Sequence, residues 1–196
     1  AKGSVFHLWG PRDPERLDNT TALGAWAWAL SRGLDWAETD PDLDTSKAIV
    51  TGCSRLGKAA LLAGARDDRF AVVAPVQTGG GGCPLLKRNY GENAKLMNTA
   101  FKHWYCGNFR KYSHNERAMP FDQHLLLAAV APRKLLVSGF DEPMYDTKGE
   151  ALAVEAARPV WAMFGRANAI SYRRRSGRHG IALADWKAIL DFAEKP

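Results

Sequence analysis

Apolar residues at Leu23, Trp26, Ala27, Leu30 and Leu34 recur at helical spacing, with Thr20 and Thr21 ahead as caps. The pattern predicts a helix that ends near Asp40-Pro41, because the residue before a proline disfavours helical backbone. The run Lys47 to Gly52 then predicts a strand, and an Ala- and Leu-rich stretch over 56–66 predicts a helix. Phe70 to Pro75 predicts the next strand, which a Gly-rich loop at 79–82 leaves. Helices are predicted over 122–130, 148–164 and 182–194, and strands over 134–138 and 169–173. Strands alternating with helices give a parallel sheet covered by helices, the α/β class. Residues 1–20 read as loop, and 83–121 as an irregular polar excursion of the kind that builds binding surfaces.

At 196 residues the chain is read as a single domain, 1–196. No stretch of about 18 apolar residues is present, which argues against a membrane span. Ala1-Lys2-Gly3-Ser4-Val5 lacks the basic-then-apolar layout of a signal peptide, which says little about location. The net charge of +6 and the run Arg173-Arg174-Arg175 with Arg178 raise the question of nucleic acid. No helix of clustered Lys and Arg and no interleaved aromatics accompany the run, so nucleic acid is not expected as a partner. The basic run is expected to be a solvated face, or a cleft favouring an anionic substrate. Cys53, Cys83 and Cys106 show no CxxC spacing, so no structural zinc is expected. All three read as packing thiols, with Cys53 buried.

The strongest chemical signal is Gly52-Cys53-Ser54-Arg55-Leu56-Gly57-Lys58, which leaves a strand and enters a helix. A serine on such a turn projects its hydroxyl clear of the sheet. The amide of the next residue, Arg55, then points at a developing oxyanion, and the helix dipole assists. The second glycine comes one residue later than in G-x-S-x-G, so spacing alone also allows a serine at an ordinary helix N-terminus.

A serine nucleophile needs a base. Among His7, His103, His114, His124 and His179, the last lies between the final strand and the final helix, where an α/β-hydrolase carries its histidine. His124 reads as a hydrogen-bonded core residue, and His103, beside Trp104, as a residue able to line a site. The acid that orients the imidazole is expected on the loop after strand 134–138, which holds Asp141, Glu142 and Asp146.

Together these residues resemble the glucuronoyl esterases, carbohydrate esterase family 15, from about Ala22 to the C-terminus. The elbow has the family's G-C-S-R-x-G-K form, late glycine included. Trp26-Ala27-Trp28, Arg88-Asn89-Tyr90-Gly91-Glu92, His103-Trp104-Tyr105-Cys106, Asp122-Gln123-His124, Ala131-Pro132-Arg133 and Gly177-Arg178-His179 are similar to its bacterial members. The resemblance implies an α/β-hydrolase sheet, Ser54 as nucleophile, His179 as base and Arg55 at the oxyanion. It implies Lys58 and Glu92 as ligands of sugar hydroxyls and Trp104 as pocket wall. On their own residues, Lys58 reads as an exposed helix lysine, Glu92 as a solvated loop acid and Trp104 as a core aromatic. Fungal members carry the acid where this chain has Gln77, whereas many bacterial members carry it where this chain has Glu142. Asp141 beside it stays open as an alternative. The tryptophan often found two residues past the acid is Met144 here.

The implied reaction cleaves esters between 4-O-methyl-glucuronic acid of glucuronoxylan and lignin alcohols, without metal or organic cofactor, in a secreted or periplasmic enzyme. An esterase for another carbohydrate ester, such as an acetyl ester, and a non-catalytic saccharide-binding protein are the rival readings. Only four strands are predicted where such a sheet has about eight, so the C-terminal half of the sheet is expected, with the N-terminal half missing or supplied by a partner chain.

Overall fold

The computed structural model describes residues 5–9, 13, 15–142 and 144–195. Helix α1 spans Ala22–Ala37, strand β1 Ile49–Cys53, α2 Arg55–Arg66 and β2 Val72–Val76. After a long excursion containing α3 (Ala94–Ala100) come α4 (Gln123–Ala128), β3 (Lys134–Phe140), α5 (Thr147–Met163), β4 (Ile170–Arg175) and α6 (Leu183–Glu194). The four strands form one sheet in the order β1-β2-β3-β4, all parallel. Every predicted strand and helix is found, displaced by at most a few residues at its ends.

The strands bury both faces, as parallel strands under helices do. Val50, Val73, Leu135, Val137 and Ile170 point to the larger core, where they meet Ala27 and Leu34 of α1, Ala60 and Leu61 of α2, Leu127 of α4 and Trp161 of α5. Their neighbours Val72, Ala74, Val76 and Leu136 point the other way and meet Ile189 and Phe192 of α6. Helices therefore cover both faces. Gly64 lets α2 settle on β2, since a Cβ there would lie 2.3 Å from Val73 Cγ2.

The excursion is more ordered than its polar sequence suggests. Leu86, Ala94, Met97 and Met119 form a core of their own, and Asn93 caps α3 by accepting from the Leu96 amide. Buried Asp122 fastens the excursion to α4 by accepting from the amides of Leu86, Lys87 and Gln123. These anchors are far apart in sequence, which is why local pattern misses them.

Five expectations need correction. Lys58 is not exposed and Glu92 is not solvated, because the two bury each other. The arginine run is not simply a solvated face: Arg173 and Arg175 both bind Asp185, and Arg174 pairs with Asp141 at 3.2 Å. Cys53 is half-buried, since the elbow lifts it toward the rim of the sheet; Cys83 is buried, and all three cysteines are free thiols. His124 Nδ1 is buried without a hydrogen-bond partner among the described residues.

Candidate active site

Ser54 sits between β1 and α2 with φ 59° and ψ −127°. Such backbone is sparsely populated for a non-glycine residue and is held in place by its surroundings. The Ser54 amide donates to Val76 O at 2.9 Å, and the Ser54 carbonyl accepts from the Lys58 amide at 3.0 Å. The two glycines of the motif interlock. A Cβ on Gly52 would lie 2.5 Å from Leu56 O, and one on Gly57 would lie 2.8 Å from Gly52 O and 2.9 Å from Val76 O. Position 57 is thus where the helix presses on the strand it has just left, which accounts for the late glycine. Arg55 is the first residue of α2 and is exposed, so its amide has no acceptor within the helix.

His179 lies on the loop between β4 and α6, beside Tyr145 and Phe140, with ring centroids 5.1 and 5.5 Å away. Its Nε2 is 3.2 Å from Tyr145 Oη. The Ser54 side chain is a near neighbour of the same phenol. Ser54 and His179 therefore flank the same phenol at one rim of the sheet; no direct bond joins them among the described residues. Half-burial raises the Tyr145 pKa, and the neighbouring Ser54 side chain acts against that rise.

Glu142 is exposed, and its charge reaches Tyr145, but no hydrogen bond links it to His179 among the described residues. Asp141 is engaged with Arg174, and Asp146 caps α5 and pairs with Arg88 at 2.6 Å. Gln77, buried with φ 50°, directs its Oε1 to the amide of Gly180 at 2.8 Å. The position therefore fastens the histidine loop rather than supplying a carboxylate.

Lys58 Nζ and Glu92 Oε2 form a buried pair at 2.6 Å, and the ammonium also lies 4.9 Å from the centroid of Trp104. Burial lowers the Lys58 pKa, and the charge of Glu92 opposes the shift. Trp104 stacks on Phe101 at 3.9 Å and is 4% exposed, so it is a core aromatic that also walls a cavity of about 330 Å³ shared with Lys58 and Tyr105. Gly79 joins this pair to the rim: a Cβ there would lie 2.5 Å from Glu92 Oε2 and 3.3 Å from Tyr145 Cε1. A second cavity, of about 460 Å³, is lined by Arg88, Tyr90, Glu142 and Tyr145. His103 is exposed with its ring edge toward Trp104.

Tyr145 is the residue that sequence reasoning missed. Its only signal was an aromatic placed between the acids Glu142 and Asp146 just past a strand end. Among the described residues no group of three or more metal-ligating side chains is present.

A family model described as glucuronyl esterase of fungi matches residues 1–165. A carbohydrate esterase, MZ0003, from an unknown prokaryotic organism is 38% identical over 88% of this chain and 44% of its own length. A 4-O-methyl-glucuronoyl methylesterase of Phanerochaete chrysosporium is 33% identical over 94% of this chain and 40% of its own length. The solved glucuronoyl esterase from Solibacter usitatus superposes with a TM-score of 0.88 at 38% identity, over 94% of this chain and 51% of that one. The chain thus spans less than half the length of these two curated relatives, and the sheet is of the α/β-hydrolase type.

Proposed function

This chain belongs to the glucuronoyl esterase family, carbohydrate esterase family 15, and we propose that it carries the nucleophile and base of a serine esterase for 4-O-methyl-glucuronoyl esters. The observation that carries this reading is that Ser54 and His179 both neighbour Tyr145, at the carboxyl ends of β1 and β4, with His179 Nε2 3.2 Å from the phenol oxygen. Loops at those ends are where open parallel sheets place their ligands.

In the proposed reaction Tyr145 yields its place at Nε2 to the Ser54 hydroxyl. His179 takes the serine proton as Ser54 attacks the uronoyl carbonyl, and the Arg55 amide receives the oxyanion. His179 then protonates the departing alcohol, and water resolves the acyl-enzyme. We assign the acid to Glu142, whose charge acts on Tyr145, over Asp141, which Arg174 engages. The ester carries no carboxylate charge, so recognition rests on sugar hydroxyls. Lys58 and Glu92 are the polar groups assigned to that task, with Trp104 behind them. A glucuronoxylan–lignin ester as natural substrate, and a secreted or periplasmic setting, follow from the family. The remainder of the sheet would then come from chain outside these residues.

The test is turnover of the methyl ester of 4-O-methyl-glucuronic acid against an acetylated sugar. Ser54→Ala is expected to lower kcat by at least about 10³-fold while ligand binding persists. Preference for the acetyl ester would identify the carbohydrate esterase rival. Binding without turnover in the parent would identify the saccharide-binding one.

A further inference from the structure

The proposed chemistry leaves the arginine run unused, and His179 is exposed, held through its ring by Tyr145 and Phe140 on one side only. The backbone around it is another matter. Arg175 Nε binds both oxygens of Asp185, at 2.8 and 2.9 Å, and Asp185 is 1% exposed. The far end of the same guanidinium reaches into the histidine loop. Its Nη2 donates to Gly180 O at 2.6 Å, and its Nη1 donates to the carbonyls of Ser176 and Arg178, each at 3.3 Å. From the opposite side the Gly180 amide donates to Gln77 Oε1 at 2.8 Å. Gln77 is fully buried, and its backbone amide donates to Ser138 O of β3 at 2.7 Å, while its side-chain Nε2 has no partner among the described residues.

The residue next to the imidazole is therefore gripped at both of its backbone polar groups. Gly180 has φ 131°, backbone that a side chain would strain and that glycine permits, and the two hydrogen bonds select it from the many conformations open to glycine. Arg173 provides the internal contrast. It binds the same Asp185 carboxylate at 2.7 Å but makes no hydrogen bond to the loop among the described residues. A catalytic base displaced by about 1 Å loses on the order of 10²-fold in rate.

We propose that Gln77 and Arg175 are positioning residues that clamp the Gly180 backbone and so aim His179 at Ser54. The proposal rests on the reading of those two as nucleophile and base. It is tested on the intact protein with Gln77→Met, Arg175→Met, Arg175→Lys and Arg173→Met, using kcat and KM for the methyl glucuronate ester and melting temperature. Gln77→Met and Arg175→Met are expected to lower kcat by roughly 10- to 100-fold with KM within about threefold. Arg175→Lys, which keeps a cation on Asp185, restores part of kcat. Arg173→Met lowers the melting temperature about as much as Arg175→Met, yet leaves kcat within about twofold. The proposal is overturned if both clamp variants keep kcat within about twofold of the parent, or if Arg173→Met lowers kcat as far as Arg175→Met. Should Arg175→Met not fold, Gln77→Met and Arg175→Lys decide by the same criteria. Ser54→Ala run alongside separates the two levels, since turnover retained there sinks the esterase reading itself.

Discussion

Lys58 and Glu92, 34 positions apart, meet 2.6 Å from atom to atom with side chains only 2% and 10% exposed. Their attraction offsets part of the cost of taking both charges out of water, and neither has another ionic partner among the described residues. Removing one partner strands the other, which costs about 3–5 kcal/mol in such settings. Lys58→Met and Glu92→Gln should each destabilise by about that much in urea unfolding, and the double variant by clearly less than the sum. Additive losses would show that the two act independently.

Tyr145 tests how the rim is used. Its hydroxyl occupies His179 Nε2, and Ser54 is a near neighbour. Tyr145→Phe removes that competitor and should leave kcat/KM within about threefold of the parent, a change under about 1 kcal/mol. A hundredfold fall would make the phenol a participant in proton transfer.

Glu150 gives the fold a pH dependence. It is fully buried, one carboxyl oxygen has no partner among the described residues, and the Tyr172 hydroxyl is 3.4 Å from the other. Burial raises its pKa from 4.5 to about 8. The folded protein therefore holds a proton that the unfolded chain releases between those values. Stability from this group is complete below pH 4.5 and is lost as pH rises to about 8, by at most about 1.4 kcal/mol per pH unit. Glu150→Gln should flatten that slope and stabilise the protein at alkaline pH, as read from unfolding midpoints across pH 5–9.

Gly57 tests the elbow. An added methyl would lie under 3 Å from two backbone oxygens. Gly57→Ala should cost about 1–3 kcal/mol in thermal unfolding, and displace Ser54 enough to lower kcat at least tenfold. Gly33, which has open space around it, serves as the control: Gly33→Ala, inside α1, should be neutral or stabilising.

Much of the sheet was legible because its strands are short apolar runs separated by amphipathic helices. The elbow was legible because backbone crowding at the strand-to-helix turn demands Gly52 and Gly57 on either side of Ser54. The polar partners were not. Lys58 with Glu92, Arg175 with Asp185, and Gln77 with Gly180 are tertiary pairs, and nothing local distinguishes such residues from solvated ones. The acid shows the same limit, since chain order points to the loop that holds Asp141, Glu142 and Asp146 yet cannot say which side chain turns toward the imidazole.

The two cores are unequal. The smaller one is closed by α6 alone, through Ile189 and Phe192, while four helices seal the other. Local opening draws on the region with the least buried apolar surface, so amide exchange should begin with α6. That helix brings Asp185 with it, and its release would free the Arg175 side chain. Loss of the proposed turnover in denaturant should accordingly run ahead of the loss of the sheet, while most of the backbone remains protected.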